Sequence, residues 1–195
     1  MLVLSLFDYS TNMVKPWAEA GYKCLCLDID HPQGSTMEGN ITKVGADILT
    51  WLPPREEIKI VFAFPPCTHL AVSGARWFKS KGLGKLIEAL TLFNRAIELS
   101  EYVKAPYMIE NPVSTVSSYY RKPDHKFQPW QYGDLYTKLT CLWTGNDFKM
   151  PEPIFTEIPE KVENLIWKMG PSPDRARKRG ITPMGFAVEV FKANK

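Results

Sequence analysis

Ile58-Lys59-Ile60-Val61-Phe62-Ala63-Phe64-Pro65-Pro66-Cys67-Thr68-His69 is the stretch on which the reading of the fold turns. Ile58–Phe64 is an apolar, β-branched and aromatic run of strand length, too short for a helix and stopped by two prolines. Upstream, Leu2–Phe7 is a second run of strand length, and Met13–Ala20 is a helix candidate closed by Gly21 as C-cap. Lys23–Ile29 reads as another strand, and residues 31–40, rich in Gly, Ser, Pro and Asn, as a loop. Downstream, Leu86, Leu90, Phe93 and Ile97 form the stripe of a one-faced helix over Gly84–Val103, and Tyr107–Ile109 follows Pro106 as a short strand. Strands alternating with helices predict an α/β domain with a doubly wound, mostly parallel sheet.

The second half is less regular. Lys138–Trp143 reads as a strand, residues 145–159 as a Pro-rich loop and Glu160–Met169 as a short helix. Thr182-Pro183 is an N-cap and first-turn pair opening a final helix through Asn194. The length of 195 residues suits one domain over 1–195. With 45% hydrophobic and 23% charged residues the chain matches globular proteins, which excludes disordered, coiled-coil and collagen-like classes. No apolar run reaches membrane-spanning length. The opening segment lacks a basic region and meets Asp8 early, so the expected setting is cytoplasmic, with no membrane partner.

The net charge of +3 is no nucleic-acid signature by itself, although residues 171–195 hold six basic and two acidic side chains. Cys24 and Cys26 alternate along a strand and read as core thiols. No cysteine or histidine spacing supports a metal site.

In open parallel sheets ligands bind beyond the carboxyl ends of the strands. Four features fall there: Phe7-Asp8-Tyr9-Ser10-Thr11-Asn12, Asp28-Ile29-Asp30, Pro65-Pro66-Cys67-Thr68-His69 and Glu110-Asn111-Pro112. An acid ending the second strand commonly holds ribose hydroxyls, though Asp28 and Asp30 also read as ordinary loop acids. The prolines can aim Cys67 into a cleft as a nucleophile, or simply stiffen a loop with an incidental thiol. Glu110 is a surface carboxylate taken alone and a candidate general acid when set across a cleft from Cys67.

In this order the residues resemble the cytosine-5 methyltransferases that use S-adenosylmethionine, especially the short phage-borne members. The most specific matches are Pro65-Pro66-Cys67 and Glu110-Asn111-Pro112, with Ser73-Gly74 after the cysteine. Weaker ones are Leu6-Phe7-Asp8, Tyr132-Gly133 with Lys138, and Thr182-Pro183-Met184-Gly185-Phe186-Ala187. The resemblance implies a Rossmann-like methyltransferase fold and methylation of carbon 5 of cytosine, in DNA or on CMP or dCMP. It implies that Cys67 adds to carbon 6, Glu110 acts at ring nitrogen 3, Lys138 supplies charge and Asn111 braces the cleft. S-adenosylmethionine would meet Phe7, Asp8, Tyr9, Ser10, Thr11, Asn12, Ile29 and Pro65, with Asp28 on the ribose and Asp47 at the adenine amino group. The substrate would meet Pro66, Ser73, Asn111 and Pro112.

Three departures stand out. The family's glycines after Phe are replaced by Tyr9-Ser10-Thr11-Asn12, and its two arginines after Tyr132-Gly133 fall on Lys138 and Thr140. Only 42 residues (141–182) separate that segment from the final helix, too few for a separate target-recognition domain. Arg175, Arg177, Lys178 and Arg179 are candidate phosphate contacts, or a solvated turn. Two alternatives therefore stand beside a DNA enzyme, for which a homodimer is an expectation: a nucleotide-modifying enzyme and a catalytically inactive binding protein.

Overall fold

The computed structural model describes residues 1–164, 172 and 175–195. Its strands are β1 (Leu2–Leu6), β2 (Lys23–Glu38), β3 (Ile41–Gly45), β4 (Ile58–Ala63), β5 (Tyr107–Pro112), β6 (His125–Phe127) and β7 (Thr140–Gly145). They form one mixed, mostly parallel sheet in the order β3-β2-β1-β4-β5-β7-β6. β1 pairs in parallel with both β2 and β4, setting Leu4 opposite Leu25 and Val61, whereas β7 runs antiparallel to β5 and β6. The helices are α1 (Lys15–Glu19), α2 (Phe78–Val103), α3 (Val116–Tyr119), α4 (Arg175–Gly180) and α5 (Met184–Asn194).

Both sheet faces are covered, which is why β1 is apolar without alternation. On one face Leu4, Leu6, Val61, Ala63, Ile109 and Trp143 meet the α2 stripe of Ala89, Phe93 and Ala96. On the other, Val3, Ile60, Phe62, Met108 and Leu142 pack with Trp17, Phe186 and Val190. Each large side chain so buried contributes roughly 1.5–3 kcal/mol. Cys24 and Cys26 lie in this second layer, and burial pushes the Cys24 thiol up to about 12.

Residues 31–40 are largely strand, not loop. The first part of β2 runs alongside β3, with Cys24 opposite Ile41 and Asp28 opposite Gly45. The chain then crosses Gly45, where a Cβ would strike the carbonyls of His31 and Pro32, and returns in the opposite sense with Thr36 opposite Lys43 and Glu38 opposite Ile41. Gly39, at φ 59°, turns it back. The returning segment is polar and exposed, so only backbone pairing marks it as a strand.

Helix α2 starts at Phe78, earlier than expected, and Gly82 (φ 78°, ψ 169°) breaks it just before the predicted start. The expected helix Glu160–Met169 lies outside the described residues from position 165 onward; residues 160–164 form a turn and a bridge to Tyr136.

Pro183, not Thr182, is the N-cap of α5, and it offers no side-chain hydrogen bond. The Asp134 carboxylate does this work from a distance, accepting from the Gly185 N–H at 2.9 Å. This contact joins two segments far apart in sequence, and it leaves no room on Gly185, where a Cβ would strike the Tyr132 carbonyl. Gly185→Ala is expected to destabilise the protein by about 1–3 kcal/mol through overpacking. Urea unfolding measures it, and an unchanged midpoint would refute the tight approach. Among the described residues no helix is long and apolar enough to cross a membrane.

Candidate active site

The carboxyl ends of β1, β4 and β5 lie on one edge of the sheet, together with Asp28, where the first part of β2 ends. At the end of β1, Phe7 takes a left-handed conformation (φ 56°), which costs a non-glycine residue on the order of 1–2 kcal/mol. The backbone on either side is held: Asp8 N donates to Leu27 O and Phe64 N to Leu6 O. Asp8 points inward and organises its own loop. It accepts from Ser5 Oγ at 2.8 Å, Ser10 Oγ at 3.1 Å and Thr11 N at 2.8 Å. Burial raises its pKa, and these three donors pull it back. Thr11, at φ 59°, completes the turn without glycine, and Asn12 Nδ2 donates to Thr182 O at 3.2 Å. The Tyr9-Ser10-Thr11-Asn12 loop thus closes by side-chain hydrogen bonds where glycines were expected.

Where the first part of β2 ends, Asp28 is half-buried and accepts from Asp30 N at 2.8 Å. Burial raises its pKa first, opposed by that N–H, and the Asp30 and Asp8 carboxylates add to the rise. Beside it Ile29 is 73% exposed, a large apolar side chain with no core to join. Asp47, just beyond β3, is exposed and caps its own turn by accepting from Leu49 N. Tyr9 stacks on the His31 ring with centroids 5.3 Å apart.

The next strand ends carry the reactive groups. Cys67 is partly exposed; its carbonyl accepts from Leu70 N and Ala71 N, so the loop turns sharply straight after the thiol. Pro65 is buried and Pro66 exposed. Asn111 is fully buried in β5, and its Nδ2 donates to Pro65 O at 3.0 Å, clamping the cysteine loop to the neighbouring strand. Glu110 Oε1 lies 3.5 Å from Lys138 Nζ, an ion-pair contact too long for a strong hydrogen bond. That oxygen is buried and has no hydrogen-bond partner among the described residues. Lys138 is itself positioned by Gln128, whose Oε1 accepts from its backbone N–H at 2.8 Å. Burial pushes the Cys67 thiol up, Glu110 adds to this, and Lys138 and Arg179 oppose it. The thiol, carboxylate and two cations share one electrostatic environment.

A cavity of about 10 Å³ lies beside Glu110 and Lys138, bounded by Phe64, Phe127, Thr182, Pro183 and Phe186. It has room for about one water.

The C-terminal basic run is divided between the two ends of this edge. The Arg179 charge is felt at Cys67, where it favours the thiolate. Arg177 instead reaches Asp30 at 3.1 Å and lies 4.1 Å above the Tyr9 ring, so the structure places it at the β1–β2 end. The Arg175 side chain lies outside the described part. Ser73 is exposed on a 3-10 turn, and Pro112 ends β5 opposite Thr140. Gln128 and Asp134 are contributors that the motifs did not mark; the local cap expected at Thr182 left no sign of a remote carboxylate.

The arrangement defines an α/β protein with a thiol, a carboxylate and an ammonium grouped at the strand ends. No protein-family model matches the chain, and no curated protein sequence matches it.

Proposed function

We propose that the protein is a cytosine-5 methyltransferase of doubly wound, Rossmann-like architecture that acts on DNA with S-adenosylmethionine. The observation that carries this reading is the grouping of Cys67, Glu110 and Lys138, with a buried Glu110 oxygen that meets Lys138 at 3.5 Å but accepts no hydrogen bond among the described residues. A buried carboxylate oxygen left without a hydrogen bond costs free energy that an incoming donor relieves. The polar edge of a pyrimidine offers such a partner.

S-adenosylmethionine, when bound, supplies an electrophilic methyl group. The residues at the β1 and β2 ends fit it: exposed Ile29 offers an apolar face to a purine, and Asp28 beside it offers a carboxylate to ribose hydroxyls. The Asp30 and Asp8 carboxylates also disfavour the Asp28 anion, which a cationic ligand would relieve. Asp28→Ala is expected to weaken S-adenosylmethionine binding about 10- to 100-fold, as for a lost charged hydrogen bond. Calorimetry without nucleic acid checks this; unchanged affinity would place the ribose elsewhere.

The chain's own groups divide the chemistry. The Cys67 thiolate forms a bond to carbon 6, and the ring's carbon 5 becomes nucleophilic. Glu110, in its protonated form, delivers a proton to ring nitrogen 3 as the carbon–sulfur bond forms, and Lys138 stands beside the carboxylate that this leaves. Once carbon 5 carries the methyl group, its proton passes to water, the carbon–sulfur bond breaks to return the thiolate, and the nitrogen-3 proton goes back to Glu110. Because the cavity beside Glu110 is water-sized, a base enters only if its lining opens.

The test is transfer of labelled methyl groups into DNA, RNA, CMP and dCMP, with the modified base identified by mass. Label at carbon 5 of polymer cytosine is expected. Label in a mononucleotide would favour a nucleotide-modifying enzyme, for which Arg179 near Cys67 offers a phosphate contact. Retained cofactor binding with no label anywhere would favour a binding protein.

A further inference from the structure

We propose that Ala71–Lys85, together with Lys178 and Arg179, forms a track that carries single-stranded DNA past Cys67. The proposal rests on the reading above and deepens it by naming the form of the substrate. Residues 58–87 contain no acid, and Arg76, Lys79 and Lys81 fall within six positions of one another, followed by Lys85, which pairs with Glu88 at 2.6 Å. A solvated basic helix would show the same charges. It would not also hold a large ring in water: Trp77 is 54% exposed, with the Arg76 guanidinium 5.1 Å from its centroid. A basic segment carrying an exposed aromatic face matches the way single strands are bound, by phosphate contacts and base stacking.

The segment is fixed relative to the thiol. Lys81 Nζ donates to Thr68 O, next to Cys67, at 2.7 Å. Val72 N donates to Val113 O, pinning the base of the segment to the loop after β5. The track therefore begins at the residues that hold Cys67 and Glu110. From the far end of the chain, the Arg179 charge acts on the same thiol, and Lys178 next to it is exposed. Two basic segments meeting at one reactive group suit a chain whose phosphates continue on both sides of the base. One phosphate group, as in dCMP, needs only one of them.

Strandedness follows from cost. Extracting a base from a duplex costs a few kcal/mol, recovered through contacts around the vacated site. A single strand presents cytosine already unpaired, and Trp77 offers its neighbour a stacking face.

The test is fluorescence anisotropy of the intact protein with a short labelled oligodeoxynucleotide containing one cytosine, as a single strand and as a duplex, with dCMP and a matching RNA strand as competitors. The single strand is expected to bind at least tenfold more tightly than the duplex and to resist dCMP. Trp77→Ala is expected to weaken it about tenfold, with Trp77→Phe restoring most of the loss. Lys79→Ala should lower the slope of log affinity against log salt by about 0.7. Equal or tighter duplex binding, effective competition by dCMP, preference for the RNA strand, or unchanged affinity in both Trp77→Ala and Lys79→Ala would overturn the proposal. Methyl transfer on the same oligomers separates the two ideas. Tight single-strand binding without transfer upholds the track and removes the chemistry; transfer to dCMP alone upholds the chemistry and removes the track.

Discussion

Cys67→Ala is expected to abolish methyl transfer while leaving S-adenosylmethionine affinity and the thermal midpoint close to those of the parent protein. The thiol is partly exposed at the end of a loop whose shape comes from backbone contacts: Leu70 N and Ala71 N on the Cys67 carbonyl, and Asn111 on Pro65 O. None of these needs the sulfur, so alanine keeps the loop. Without a nucleophile at carbon 6, carbon 5 has no activation, and no neighbour replaces it because Cys24, Cys26 and Cys141 are buried in the core. Transfer at the parent rate would remove Cys67 from the mechanism.

The same thiol sets a pH dependence. Burial, then Glu110, holds its pKa above the ordinary thiol value. A raised pKa means that the thiolate is scarce at neutral pH and grows as pH rises. With thiolate as the attacking form, kcat/KM should climb through neutral pH into the mildly alkaline range. Lys138 opposes the rise, so Lys138→Met should move the climb to higher pH. A flat profile in both proteins would show that the proton leaves by another route.

Glu110→Gln is expected to slow the reaction by about 10²–10⁴, the usual cost of losing a general acid. The amide keeps the size and one acceptor oxygen but cannot deliver a proton. It also leaves Lys138 without its counter-charge at 3.5 Å. The loss should fall chiefly on kcat, because the proton moves after the base is bound. An unaltered kcat would contradict the role assigned to Glu110, and a change confined to KM would make it a binding group alone.

Much of the frame was legible in the chain. The apolar runs at Leu2–Phe7, Lys23–Ile29 and Ile58–Phe64 become β1, the first part of β2 and β4 within a residue or so, because strands buried on both faces must be continuously apolar. The stripe at Leu86, Leu90, Phe93 and Ile97 becomes the packed face of α2. From these elements the sheet class follows, and with it the rule that chemistry collects at the strand ends. Cys67 and Glu110 were candidates because Pro65-Pro66 and Asn111-Pro112 punctuate those ends locally.

What tertiary structure alone decided are pairings between residues far apart in sequence, for which no local pattern exists. The return of residues 33–38 along β3 depends on backbone hydrogen bonds that polar, exposed side chains do not signal. The capping of α5 by Asp134 across 51 positions replaces the local cap that Thr182 promised. Asn111, readable only as part of a motif, acquires its role through a 3.0 Å bond to Pro65 O on the adjacent strand. Arg177 and Arg179, two residues apart in one run, separate to Tyr9 with Asp30 and to Cys67 respectively, because successive odd positions on a short helix point to different neighbours. Sequence sets the periodicities and the punctuation; which distant groups then share a site is settled by how the sheet brings its strand ends together.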